Sequence, residues 1–133
     1  IKKTFQIFGK KTKNAIISTG YTTHVMNELR IDLLKNNTHF TLIDIFQIKP
    51  LNEKQLKLYL KSFKNIIVVE EHTINGGIGS IISELKSDYD LKFKLKRFGI
   101  KDKNLYTYNS RDKVYKNNKI DKISIRKILL KIK

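Results

Sequence analysis

The residues best suited to do chemistry in this sequence lie between Asn65 and Leu85. Two acids and a histidine stand side by side there, and three closely spaced glycines follow. A carboxylate beside an imidazole could serve as a general base, and a glycine turn before a helix could bind an anion through backbone N–H groups. The residues concerned are Glu70, Glu71, His72, Gly76, Gly77 and Gly79.

Catalysis by the acid–histidine trio is the weaker interpretation. A general base must lie within about 3 Å of its proton donor and be oriented by a third group. Adjacent residues of an extended chain point to opposite faces, so Glu71 cannot be assumed to orient His72. His24, His39 and His72 also have no metal-ligand spacing with another His, Asp or Glu. We therefore predict a loop that caps neighbouring backbone or contacts another subunit.

The glycines match a phosphate-binding motif only loosely. A dinucleotide fingerprint follows its strand directly as G-x-G-x-x-G, and a P-loop contains G-K-S/T. Here six residues separate the strand from Gly76, and the pattern is G-G-x-G-S. The helix amino terminus could still bind an anion. The favoured interpretation is that glycine supplies a positive φ and lets helix and sheet backbones approach closely.

The elements around these residues are predicted from apolar periodicity. The β-branched run Ile66 to Val69 is typical of a strand buried on both faces of a parallel sheet. After a polar loop, apolar residues recur at helical spacing from about Gly77 to Lys86. The loop would thus lie at the carboxyl end of a strand, where open α/β sheets usually bind ligands.

The rest of the chain alternates strands and helices. The predicted strands are Thr4 to Phe8, Ala15 to Ser18, Phe40 to Phe46 and Phe93 to Phe98; the predicted helices start at Thr22 or Thr23, Asn52 and Asp121, and residues 105–118 form an irregular connection. This alternation predicts a mostly parallel sheet covered on both faces, in one domain spanning residues 1–133.

Charge and composition restrict the function classes. The net charge of +16 would suit an anionic or nucleic-acid partner, but 24 of the 28 basic residues are lysine and they are dispersed along the chain. A free-standing basic binding module is therefore only an alternative. The absence of cysteine and of any apolar run near ~20 residues predicts a soluble, cytoplasmic protein. The initial isoleucine favours a piece of a longer or processed polypeptide.

The segment V-V-E-E-H-T-I-N-G-G-I-G-S-I-I-S-E-L resembles the C-terminal domain of the transketolase superfamily, as do four further motifs in the right order. These are Gly9-Lys10, the strand Ile16 to Gly20, Lys49-Pro50-Leu51-Asn52 (similar to K-P-L-D) and Phe98 to Asp102 (similar to G-x-P-D). Lys101 stands where a proline is usual, and Asn52 replaces an aspartate. These departures leave the branch of the superfamily open, but not the fold.

The resemblance implies a three-layer α/β/α sandwich with a mixed five-stranded sheet, one edge strand of which is antiparallel. It also implies a thiamine-diphosphate enzyme that transfers a two-carbon or acyl unit, with thiamine diphosphate and magnesium held by two other domains. This chain would bind neither cofactor and would be inactive alone. Its role would be assembly and homodimer packing, with the six residues named above in contact with the other domains or subunit.

The sequence leaves the substrate open. The branch is also open between transketolase, 1-deoxyxylulose-5-phosphate synthase and the beta subunit of a 2-oxoacid dehydrogenase, and so is whether the chain is a fragment or a separate subunit.

Overall fold

The computed structural model describes residues 3–73, 77–100 and 120–132. Its strands are β1 (Phe5–Phe8), β2 (Asn14–Ser18), β3 (Thr41–Ile45), β4 (Asn65–Thr73) and β5 (Lys94–Ile100), and its helices are α1 (Tyr21–Leu34), α2 (Glu53–Leu60), α3 (Ile78–Asp88) and α4 (Lys122–Leu130). The predicted alternation of strands and helices is confirmed. Within the described ranges, no helix is both long and apolar enough to cross a membrane.

The five strands form one sheet in the order β1-β3-β2-β4-β5. Strands β2 to β5 are parallel, whereas β1 pairs antiparallel with β3, Phe5 opposite Ile45. The prediction of a mixed five-stranded sheet with an antiparallel edge strand is confirmed. We call the edge where the parallel strands begin the amino edge, and the edge where they end the carboxyl edge. The chain crosses from β2 to β3 on one side and returns to β4 on the other, so the topological switch point lies between β2 and β4.

Helices cover both faces of the sheet. Helices α2 and α3 pack with one set of strand residues, which includes Ile17, Ile66 and Val68. Helices α1 and α4 pack on the opposite face against the alternate residues, which include Ile16 and Ile67. Because successive strand side chains point to opposite faces, the unbroken apolar runs of β2 and β4 supply both cores.

The ends of the elements confirm some predictions and correct others. Asn52 and Asp121 cap α2 and α4, accepting hydrogen bonds from the backbone N–H groups of Gln55 and Ser124. The N-cap of α1 is Gly20, so the prediction of Thr22 or Thr23 was wrong. Both threonines are buried in the first turn, where Thr23 makes side-chain hydrogen bonds instead of capping.

Strand β4 is longer than predicted. It continues past Val69 through Glu70, Glu71 and His72 to Thr73, so these residues belong to the strand and not to a polar loop. An irregularity in the pairing with β5 falls between Val69 and Thr73. The irregular connection predicted for residues 105–118 lies outside the described residues.

Candidate functional site

Glu70 connects the end of β4 to the start of α3. Its side chain is buried, at 2% exposure, and its two oxygens accept hydrogen bonds from consecutive backbone N–H groups. Oε1 accepts from Ile78 N at 2.5 Å and Oε2 from Gly79 N at 3.2 Å. Those N–H groups have no partner within their own helix, and the helix dipole favours a negative charge beside them. The carboxylate therefore caps α3 from a neighbouring strand.

Gly77 and Gly79 leave room for this carboxylate. A Cβ at Gly77 would overlap Oε1 of Glu70, and a Cβ at Gly79 would lie 3.0 Å from Oε2. Gly77 has a φ of −89°, and Gly79 lies in the first turn of α3. Both glycines make room for the Glu70 side chain, whereas the sequence predicted close approach of helix and sheet backbones. The prediction of a positive φ was wrong for Gly77 and Gly79, since among the described glycines only Gly9 and Gly20 have one. Gly76 lies outside the described residues.

Arg97 of β5 completes this group, and sequence reasoning missed its role. Its Nη2 donates to Ser80 Oγ at 2.9 Å, and its Nε would lie 2.5 Å from a Cβ at Gly79. The guanidinium and the Glu70 carboxylate thus both border Gly79. The available signal was the parallel register, because Arg97 pairs with Val68 and so shares the α3 face with it.

Glu71 lies on the other face of the sheet. A Cβ at Gly20 would lie 3.2 Å from its Oε1, which places this half-buried carboxylate at the start of α1. Gly20 has a φ of 60°, a value that favours glycine. The paired acids therefore divide between two helix amino termini, as strand alternation requires. His72 belongs to β4, but its side chain is outside the described residues.

A second polar group occupies the carboxyl ends of β2 and β3. Thr23 Oγ1 lies 2.8 Å from Ser18 Oγ and donates to Asp44 Oδ1 at 3.0 Å. Gln6 Nε2 donates to Asp44 Oδ2 at 2.9 Å. Ser18, Thr23 and Asp44 are buried, so these bonds satisfy groups that would otherwise be costly. This network ties β1, β2, β3 and α1 together, and sequence reasoning did not find it.

The carboxyl edge also exposes large apolar side chains. Phe46 and Ile48, which follow β3, are 51% and 37% exposed, and Tyr21, which follows β2, is 49% exposed. Thr4, just before β1, accepts through its carbonyl oxygen from Phe46 N and Gln47 N at 3.2 Å each. Any segment that precedes Lys3 would therefore be attached beside this apolar surface, which we call the Phe46 surface (Tyr21, Phe46 and Ile48).

The buried acidic side chains of the described residues have structural partners. The described His, Asp and Glu side chains include no group of three that could hold a metal ion. Glu70 and Asp44 are hydrogen-bonded within the fold. These side chains hold the amino termini of α1 and α3 in fixed positions at the carboxyl edge of the sheet.

Comparison with known proteins gives the class to which this arrangement belongs. Residues 5–125 match the family model described as the transketolase C-terminal domain. The chain therefore belongs to the transketolase C-terminal domain family. A solved structure described as "Split gene transketolase, inactive beta4 tetramer" has the same fold, with a TM-score of 0.80, 16% identity, and coverage of 96% of this chain and 41% of that one.

Two curated relatives give more detail. The chain is 29% identical to one of the subunits of apulose-4-phosphate transketolase from Actinobacillus succinogenes over 126 residues, which are 95% of this chain and 40% of that protein. It is 27% identical to 1-deoxy-D-xylulose-5-phosphate synthase of Fusobacterium nucleatum over 116 residues, 87% of this chain and 19% of that protein. The chain thus spans well under half the length of both relatives.

Proposed function

We propose that this chain, residues 1–133, is the C-terminal assembly domain of a transketolase-like enzyme that uses thiamine diphosphate. The family match and the short span relative to its relatives support this role. The complete enzyme would transfer a two-carbon or acyl unit, with the cofactor and its magnesium ion bound by other domains. The domain would be inactive alone and would take part in a homodimer, in the cytoplasm.

The Phe46 surface is the observation that carries the proposal. Monomeric proteins expose apolar side chains singly without consequence, but grouped ones mark contact sites. Here three large apolar side chains follow the ends of two adjacent strands, at the edge where β1 begins. A preceding domain joined to β1 would therefore reach this surface with a short linker.

The six residues that the sequence suggested as contacts divide between two roles in this proposal. Glu70, Gly77 and Gly79 shape the edge from inside, because the carboxylate caps α3 and the glycines make room for it. Glu71, His72 and Gly76 are proposed to contact the other domains or the other subunit.

Reconstitution would test the assembly role. The chain is produced alone and together with the first two domains of the same enzyme, and association is measured by light scattering after gel filtration. Thiamine-dependent transfer activity is measured in parallel. Phe46→Asp places a charge on the proposed contact, and Leu58→Asp is the matched control, because Leu58 is equally exposed, at 51%, but lies on the outer side of α2.

We expect activity only when both pieces are present. Phe46→Asp should weaken association about tenfold or more, since a buried unpaired charge is costly, whereas Leu58→Asp should not. Activity of the chain alone would contradict the proposal. Equal association of the two variants would contradict the assignment of the surface.

A further inference from the structure

A cavity of about 360 Å³ opens at the amino edge, far from the Phe46 surface. It lies between the starts of β4 and β5 and the end of α4. Four of its described lining residues are lysines, namely Lys64, Lys94, Lys96 and Lys131, and none of the described lining residues is acidic. The proposed assembly role uses none of them.

The fold explains why lysines meet at this point. Lys96 pairs with Ile67 in the parallel register, and Ile67 faces the core beneath α1 and α4. Lys94 and Lys96 therefore project toward the α4 face, while Leu95 packs against the opposite core. Helix α4 has nine residues and ends at Leu130, beside the start of β5. Its end brings Lys131 to the cavity.

These four ammonium groups have no counter-charge among the described residues. None of them makes an ion pair or a side-chain hydrogen bond there, although other lysines of the chain do. Lys35, Lys92 and Lys122, for example, lie within 4 Å of Asp side chains. Like charges that converge on a concave surface raise the local concentration of anions.

We propose that this cavity binds a compact small molecule carrying two or more phosphate groups. Several phosphates fit several lysines, because each ammonium group acts as a point charge with three rotatable donors. The volume is at the lower end of small-molecule sites. A nucleic-acid strand fits less well, because the part of the lining that the structure describes contains no aromatic side chain on which bases could stack.

Titration with tripolyphosphate would test the site. The ¹⁵N-labelled 133-residue chain is titrated at about 0.15 M salt, where long-range charge effects are largely screened. The double variant Lys94→Gln/Lys131→Gln removes two of the cavity's charges. Lys54→Gln/Lys61→Gln is the matched control, because it removes the same charge from two exposed lysines elsewhere, one on α2 and one at its C-cap.

We expect saturable amide shifts at residues 64–67, 94–96 and 131–132. The cavity variant should weaken tripolyphosphate about tenfold and the control less than about twofold. Inorganic phosphate should bind more weakly than tripolyphosphate. Equal weakening by both variants, or shifts spread over all lysines, would overturn the proposal and leave only general charge attraction.

An oligonucleotide titration and two checks on the variants complete the test. A single-stranded oligonucleotide of equal charge that bound more tightly at the same residues would replace the proposed ligand with nucleic acid. Thermal melting checks that each variant is folded, and Lys96→Gln serves as a second cavity variant with the same expected loss.

Discussion

The two edges of the sheet use their charged side chains differently. At the carboxyl edge, Glu70 and Asp44 are buried and hydrogen-bonded to backbone N–H groups or side chains of other elements. At the amino edge, Lys94 and Lys131 line an open cavity that has no acidic side chain among its described lining residues. The comparison indicates that charges at the carboxyl edge stabilise the fold, while the lysines at the amino edge contribute little to it.

The largest effect is expected at Gly77. A valine there would overlap the Glu70 carboxylate and displace it from the α3 amino terminus. Because this leaves a buried charge without its donors, Gly77→Val should lower the free energy of unfolding by roughly 3 kcal/mol or more. Chemical denaturation measures the change. Ser87→Val, at an exposed position of the same helix, is the control. An unchanged denaturation midpoint for Gly77→Val would contradict the claim that Gly77 makes room for the Glu70 carboxylate.

Removing the charge of Glu70 without changing its shape gives the next largest effect. In Glu70→Gln the amide keeps one acceptor but turns an NH₂ group toward the second backbone donor. We expect a loss of about 1–3 kcal/mol in the free energy of unfolding. Glu84→Gln, exposed on α3, should change it little. Equal losses of unfolding free energy in Glu70→Gln and Glu84→Gln would mean that the buried Glu70 cap stabilises the fold no more than an exposed carboxylate does.

Two adjacent threonines test the second polar group. Thr23→Val removes the hydroxyl that joins Ser18 to Asp44 and should cost about 1–2 kcal/mol. Thr22→Val removes a buried hydroxyl that has no hydrogen-bond partner in the described part of the chain, so it should be neutral or stabilising. Urea unfolding of both variants gives the comparison. The reverse order of stabilities would contradict the assigned network.

The smallest effect concerns an exposed pair at the amino edge. A hydrogen bond of 2.8 Å from Lys92, together with its charge, lowers the pKa of Asp90. A carboxyl whose folded pKa is lowered stabilises the fold above its unfolded pKa, and that contribution is lost as the pH falls through the folded value. Because both side chains are exposed, Lys92→Gln should raise the Asp90 pKa toward its ordinary value with no measurable change in Tm.

NMR titration of the Asp90 carboxyl measures that pKa, and Lys54→Gln should leave it unchanged. A marked fall in Tm for Lys92→Gln would contradict the claim that charged side chains at the amino edge contribute little to the stability of the fold.

The sequence predicted the features that depend on local pattern. The strand and helix order and the caps Asn52 and Asp121 follow from periodicity and residue type. The contacts of Gly77 and Gly79 with the Glu70 side chain do not, because they depend on where β4 ends relative to α3. The extension of β4 through Glu70 and Glu71 could not be predicted this way, because acids are unusual in a buried strand. The amino terminus of α3, eight residues further along the chain, supplies N–H donors to Glu70, which offsets the cost of burying this carboxylate.

Contacts between residues that are far apart in the chain could not be predicted from the sequence either. Thr23 and Asp44 are 21 residues apart, and Gln6 and Asp44 are 38 apart. Thr23 was predicted as a cap because a threonine before a helix usually has that role. The neighbouring strand offered Asp44 as a partner instead. Arg97 was missed for the same reason, since only the register with β4 brings it to the α3 face.

Hydrogen exchange tests the central claim, that the carboxyl edge is the assembly surface, most directly. Backbone amide exchange of the chain would be compared by mass spectrometry when it is alone and when it is bound to the first two domains of its enzyme. We predict slower exchange in the complex at residues 46–51 and 71–77 and unchanged exchange at residues 92–96. Protection confined to the amino edge, or none anywhere, would contradict the account.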